Sequence, residues 1–294
     1  MVGRVQKKLG VSERRACKMV GQPRSTQRYE PRRRKDEERL VKRMTSLAGH
    51  NPRFGYRRIW ALLRREGWKV NRKRVYRLWR REGLKVPKKR RKKRRLGISA
   101  NGCVRRRPER KDHIWAWDFI HDRTASGGPL KWLTMVDEFT RECLALEVAR
   151  SIKAEDVKDR LIWLFTVRGV PDHIRSDNGP EFIAKAISRW LERAAVKTLY
   201  VKPGAPWENG YAEAFQSRLR DELLRVEEFR SVREATALAE QWRRHYNQKR
   251  PHSALGYRTP VEFAEARVPS GLGSLALPEH ARPKRQTSLT ASGT

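Results

Sequence analysis

HIWAWDFI, residues 113–120, reads as a β-strand: aromatic and β-branched residues enclose a single aspartate, Asp118. Two runs of similar texture follow, KWLTMVD at 131–137 and ECLALEVA at 142–149, with a polar turn at 138–141 between them. Strands joined by so short a turn pair antiparallel. The period then changes. Within 154–168, Val157, Leu161, Leu164 and Phe165 recur at helical spacing. A strand at 172–176, a helix at 183–195, a strand at 196–201 and a helix at 207–224 complete the order βββαβαβα. A further helix covers 231–246. An antiparallel trio followed by alternating units predicts an α/β fold, a mixed five-stranded sheet with flanking helices.

Before this block the chain is different in kind. The 294 residues carry a net charge of +36, and it is unevenly spread. Residues 1–112 hold 41 Lys and Arg against 9 Asp and Glu, while residues 113–294 hold 28 against 24. A polyanion-binding third therefore precedes a near-neutral globular part. Ser12 suits the N-cap of a helix at 13–20 that Gly21 and Pro23 stop, and 36–48 reads as another helix. In 50–84, Tyr56, Ile59, Leu62 and Leu63 define one amphipathic helix ended by Gly67. Asn71 caps a second, with Val75, Leu78 and Trp79 as its apolar stripe. Two short helices with arginine outside suggest a helix-turn-helix module for DNA, against a plain basic hairpin packed on the core. Residues 88–95 are all Lys or Arg and cannot pack, so they read as an extended linker along phosphates or a solvated tether. The expected parts are a basic helical segment (1–45), the helix-turn-helix module (46–86), the linker (87–111), a core (112–267) and a disordered Pro-, Gly- and Ser-rich tail (268–294).

Cys17, Cys103 and Cys143 form no CxxC pair, which argues against a disulfide framework or structural zinc and fits a reducing cytosol. No apolar run approaches the ~18 residues of a membrane span, and no signal peptide is expected.

Three acids stand where packing does not explain them. Asp118 interrupts an apolar strand, Asp177 follows a strand end in RSDNGPEF, and Glu213 sits on the helix WENGYAEAFQSRLRDEL. On that helix Tyr211, Phe215 and Leu219 form an expected buried stripe, with Glu213, Gln216 and Arg220 on another face. Breaking a phosphodiester requires neutralising a charged phosphorus centre and activating an oxygen nucleophile, which two Mg²⁺ ions about 3.5–4 Å apart can do. Hard cations take oxygen ligands, so three convergent carboxylates suffice to hold them. Asn178 and Gly179 permit a tight turn presenting Asp177. Singly, each acid is commonly a solvated or salt-bridged side chain; the combination points to chemistry.

WAWDFI, RSDNGPEF and PGAPWENGYAEAFQSRLRDEL resemble the catalytic core of retroviral-type integrases and related transposases. Thirty-five residues separate Asp177 from Glu213, and Arg220 follows the glutamate by seven, both as in that superfamily. YNQKRPHSALGYRTPVEFA (246–264) resembles the segment closing the core of bacterial insertion-sequence transposases. With 50–84, it is similar to the second-frame (OrfB-type) proteins of the insertion-sequence-three family. The resemblance implies a ribonuclease-H-like fold with Asp118, Asp177 and Glu213 as both catalytic residues and metal ligands. It implies Mg²⁺, with Mn²⁺ as substitute, and double-stranded DNA as partner, at element ends and target. It further implies cleavage at terminal inverted repeats, strand transfer by a 3′-hydroxyl, a homo-oligomer on DNA and fusion or partnership with an upstream-frame protein. The expected location is the bacterial cytoplasm, on the nucleoid and away from membranes.

Arg72, Lys73, Arg77 and Arg220 are candidate DNA contacts, although Arg220 could instead pair with Glu222. Asn178, Gly179 and Glu181 would shape the turn beside Asp177, although Glu181 could instead be an ordinary carboxylate at a helix start. Trp207 serves packing as readily as stacking, and Arg250 and His252 serve capping or packing as readily as phosphate. His113 and His121 lack cysteine partners, so no metal role is expected of them. A non-catalytic DNA binder would share the composition, yet convergent carboxylates without metal would repel DNA. An RNA-binding reading lacks the aromatic single-strand motifs.

Overall fold

Residues 1–29, 35–86, 106–176, 185–200 and 209–266 are described by the structure, a computed structural model. Its centre is the expected mixed five-stranded sheet, in the order β3-β2-β1-β4-β5. Strand β1 (Ile114–Arg123) pairs antiparallel with β2 (Pro129–Asp137), and β2 with β3 (Cys143–Ala149). The short strands β4 (His173–Ser176) and β5 (Lys197–Tyr200) run parallel to β1 and to each other. The central position of β1 explains its apolar sequence, since both of its faces are covered.

Alternation along β1 divides the core in two. Ala116 and Ile120 pack with Trp132, Phe215, Leu219, Phe229 and Trp242 on one face. Trp115 and Trp117 pack on the other, with Leu133, Leu161, Leu164, Ile174 and Leu191. The first face is covered by helices Gly210–Leu219 and Val232–Gln248, the second by helices Ala154–Arg168 and Lys185–Arg193.

In chain order the helices are α1 (Val2–Leu9), α2 (Glu13–Val20), α3 (Arg24–Gln27), α4 (Glu37–His50), α5 (Tyr56–Arg65) and α6 (Arg72–Arg81) before the sheet. Within and after it come α7 (Ala154–Arg168), α8 (Lys185–Arg193), α9 (Gly210–Leu219), α10 (Val232–Gln248) and α11 (Pro260–Glu265). The expected caps form: Ser12 Oγ accepts from Arg15 N, and Asn71 Oδ1 accepts from Arg74 N at 2.7 Å. Helix α4 runs across residue 45 and lends Leu40, Met44 and Leu47 to the core built by Ile59, Leu63, Val75 and Leu78. The module is therefore a three-helix unit, because two ten-residue helices alone leave one apolar side open.

The final helix of the expected order differs from its reading. Helix α9 ends at Leu219, and one π-helical turn, Arg220–Leu224, follows. The module docks on the core through Trp60 against Tyr257 and the ion pair Arg65–Glu262 at 2.6 Å. Most of the basic linker (87–105) and the tail from 268 lie outside the described residues. Among the described residues, no helix is long and apolar enough to cross a membrane.

Candidate active site

Asp118 lies midway along the central strand. It pairs with Thr134, whose hydroxyl donates to the Asp118 carbonyl at 2.8 Å, while Asp118 Oδ1 accepts from the Phe119 N–H at 2.7 Å. Its half-buried side chain shares a face with Ala116 and Ile120, the face covered by α9. A carboxylate thus replaces an apolar side chain in a row that otherwise feeds the core.

Helix α9 brings the second carboxylate to the same face. Ala212, Phe215 and Leu219 bury it against the sheet. Tyr211, expected in that stripe, is instead half-buried at its edge under the Arg141 guanidinium, 3.8 Å from the ring centroid. Gln216 also departs from expectation: it is buried, and its Nε2 donates to the Phe119 carbonyl at 3.2 Å. The helix is therefore tied to β1 one residue beyond Asp118. Glu213, one turn before Gln216, is exposed and makes no hydrogen bond or ion pair among the described residues. Sequence reasoning placed Gln216 on the face of Glu213 but gave it no role.

Asp177, Asn178, Gly179, Glu181 and Trp207 lie outside the described residues. Ser176, immediately before Asp177, ends β4, which pairs parallel with β1 at Ala116↔Arg175. Arg72 and Lys73 are exposed on the first turn of α6, and Arg77 is exposed but within 3.3 Å of Glu37. Arg220 is exposed and forms no ion pair among the described residues. Its suggested partner Glu222 is taken, accepting two hydrogen bonds from Arg250 at 2.7 and 2.6 Å. Among the described residues Arg220 therefore has no acidic partner. Arg250 and His252 are buried against Tyr246, and Arg250 is paired with Glu222.

Two buried networks flank the site. Arg168 joins Asp112 at 2.6 Å and Glu142, with Asp137 at 3.7 Å. Burial pushes the Asp137 carboxyl up to about 6, against the lowering effect of the Asp112 and Thr140 N–H groups and Arg168. At the other, burial with help from Arg250 lowers the Arg58 guanidinium to about 10. Burial, Arg250 and Arg58 together push His252 down to about 2.

His113, of which no metal role is expected, lies beside two further potential ligands. Its ring nitrogen, an Asp172 oxygen and a His173 nitrogen lie within 4.8 Å of one another. Arg110 holds Asp172 at 2.6 Å, and His113 Nδ1 accepts from the Glu109 N–H, which leaves a neutral ring's proton on the nitrogen facing Asp172. This cluster is roughly 17 Å from Asp118 at strand rise, so it is separate from the carboxylates.

Models of the integrase core domain match residues 108–206 and 194–260, and a model of an HTH-like domain matches residues 35–93. An insertion element IS407 protein of Burkholderia multivorans is 38% identical over 260 residues, 88% of this chain and 93% of the relative. Transposase InsD for insertion element IS2D of Escherichia coli is 28% identical over 251 residues, 81% of this chain and 82% of the relative. The chain aligns with the HTLV-2 integrase catalytic core solved with magnesium at a TM-score of 0.42 and 18% identity, over 54% of this chain and 99% of that one.

Proposed function

Because this chain belongs to the insertion-element transposases built on an integrase core, we propose that Asp118, Asp177 and Glu213 form one centre for DNA strand cleavage and transfer. The observation that carries this reading is the shared face: Asp118 on the central strand and the helix of Glu213 meet on one side of the sheet, tied by Gln216 to Phe119. Continuing the β1–β4 register past Ala116↔Arg175 would bring position 177 level with Asp118.

The donor set fits a hard divalent cation, being all carboxylate oxygen with no sulfur or imidazole. Glu213 is exposed without a competing cation among the described residues, as a ligand open to exchange should be. Two Mg²⁺ ions, with Mn²⁺ as substitute, would supply charge neutralisation at phosphorus and a more acidic attacking hydroxyl. Asp118 and Asp177 would share the ions and Glu213 would hold the second. Thr134 and the Phe119 N–H hold Asp118, and Gln216 holds the helix that carries Glu213, so these two positions are fixed before substrate arrives. Asn178 and Gly179 would shape the turn at Asp177. The exposed Arg72, Lys73 and Arg77, and Arg220 beyond the catalytic helix, would bind phosphates of the element ends and target.

Two ends must be joined, so the working form is at least a dimer on DNA, alone or fused to an upstream-frame protein in the bacterial cytoplasm. The test is a labelled duplex bearing the repeat beside the gene, incubated with the protein and Mg²⁺ or Mn²⁺. Cleavage or joining that EDTA and Asp177→Asn abolish supports the reading. Product that persists in EDTA sinks it. Repeating the assay with the upstream fusion shows whether this chain suffices.

A further inference from the structure

Four arginines converge on a cavity of about 380 Å³ where the helix-turn-helix module meets the core. Arg58 comes from α5, Arg141 from the turn after β2, Arg218 from α9 and Arg250 from the segment after α10. Asp137 is the one carboxylate among the described lining residues. It is fully buried, and its oxygens accept the N–H groups of Asp112, Phe139 and Thr140. Glu222, behind the wall, serves both Arg250 and Arg58, at 2.6 and 3.3 Å. Asp221 adds a negative charge acting on the same two groups. Arg218 has no hydrogen-bond or ion-pair partner among the described residues. Among the described residues the arginines at this wall outnumber the acids Asp137, Asp221 and Glu222, and Arg58 and His252, lowered first by burial, are lowered further by the neighbouring guanidiniums.

We propose that this cavity binds a phosphate group, a phosphodiester of the nucleic-acid backbone clamped jointly by module and core. Guanidinium forks match a tetrahedral oxyanion, and the apolar walls strengthen the attraction. A nucleobase is a poorer occupant because the aromatic faces are used. Tyr246 packs with Phe215, Trp242 and His252, and Tyr211 lies under Arg141. The cavity is on the flank of α9 opposite the sheet-tied Gln216, so the phosphate held there is a neighbour of the reacting one, about a helix width away. The nucleic-acid source rests on the transposase reading; anion binding itself does not.

The test titrates the full chain with inorganic phosphate at constant ionic strength, read by calorimetry. Wild type binds saturably, Arg218→Gln weakens binding about tenfold, Arg218→Lys recovers part of it, and Arg233→Gln on the exposed start of α10 leaves it unchanged. Circular dichroism checks that each variant is folded, and Arg58→Gln is the second variant. A duplex displaces the bound phosphate. Equal binding by wild type and both glutamine variants of the cavity overturns the site, as does an equal loss in Arg233→Gln. Phosphate that saturating duplex fails to displace overturns the nucleic-acid source. No strand chemistry is read, so a failed cleavage assay leaves this result standing.

Discussion

Glu222→Gln removes one charge from the junction between the module and the core and keeps the side chain's shape. Glu222 accepts from Arg250 at 2.7 and 2.6 Å and faces Arg58 at 3.3 Å. Its side chain is 7% exposed and that of Arg250 is 2% exposed, so neither guanidinium hydrogen bond is replaced by bulk water. Removing one partner of such a pair costs about 3–5 kcal/mol, because the remaining charge stays buried. Glutamine keeps one acceptor oxygen and Arg58 is partly exposed, which favours the lower end, about 3 kcal/mol. At roughly 2–4 °C per kcal/mol for a unit of this size, the midpoint should fall by about 6–12 °C. Thermal unfolding followed by circular dichroism measures it. The double variant Glu222→Leu with Arg250→Met removes both charges and should melt above Glu222→Gln. A Glu222→Gln midpoint within about 2 °C of wild type would refute the reasoning.

Leu219 is fully buried between α9 and the sheet, so Leu219→Ala should cost about 2–5 kcal/mol in urea unfolding. Asn71→Ala removes the cap on Arg74 N and should cost about 1 kcal/mol, read from the same transition of the isolated melting signal of the module. His252 has its pKa lowered from 6.5 to about 2 by burial, Arg250 and Arg58. The unfolded chain takes a proton there that the folded chain declines. Stability present above pH 6.5 is thus lost as pH falls, by up to about 1.4 kcal/mol per pH unit. His173 and His245, lowered by burial in the same direction, add to the loss. His252→Gln should flatten the slope between pH 6.5 and 5, and an unchanged slope contradicts the assignment. Arg72→Gln should reduce the slope of log affinity against log salt by about 1 on duplex DNA.

Much of the fold could be read from residue pattern because the decisive signals are local. The helix over 154–168 matches α7 in both bounds, and the trio of strands falls within two to three residues of its expected limits. Period two along 113–120 also identified Asp118 as an acid in an apolar row. What the pattern did not show depends on partners far apart in the chain. Gln216 reaches Phe119, 97 residues away, and Arg58 reaches Glu222, 164 residues away. The π turn at Arg220–Leu224 replaces the last turn of the regular helix expected over 207–224. Tyr211 left that stripe because Arg141, from the turn after β2, covers its ring. His113 meets His173 only because β1 and β4 start side by side, a parallel pairing that no spacing rule encodes.

The central claim is that Asp118, Asp177 and Glu213 act as one centre. Strand joining and DNA affinity, measured together for Asp118→Asn, Asp177→Asn and Glu213→Gln, test it most directly. The account predicts that each variant binds the element end at least as well as wild type, since a negative charge has left the vicinity of phosphate, yet yields no joined product with Mg²⁺ or Mn²⁺. Joining that survives in any one of the three would contradict it.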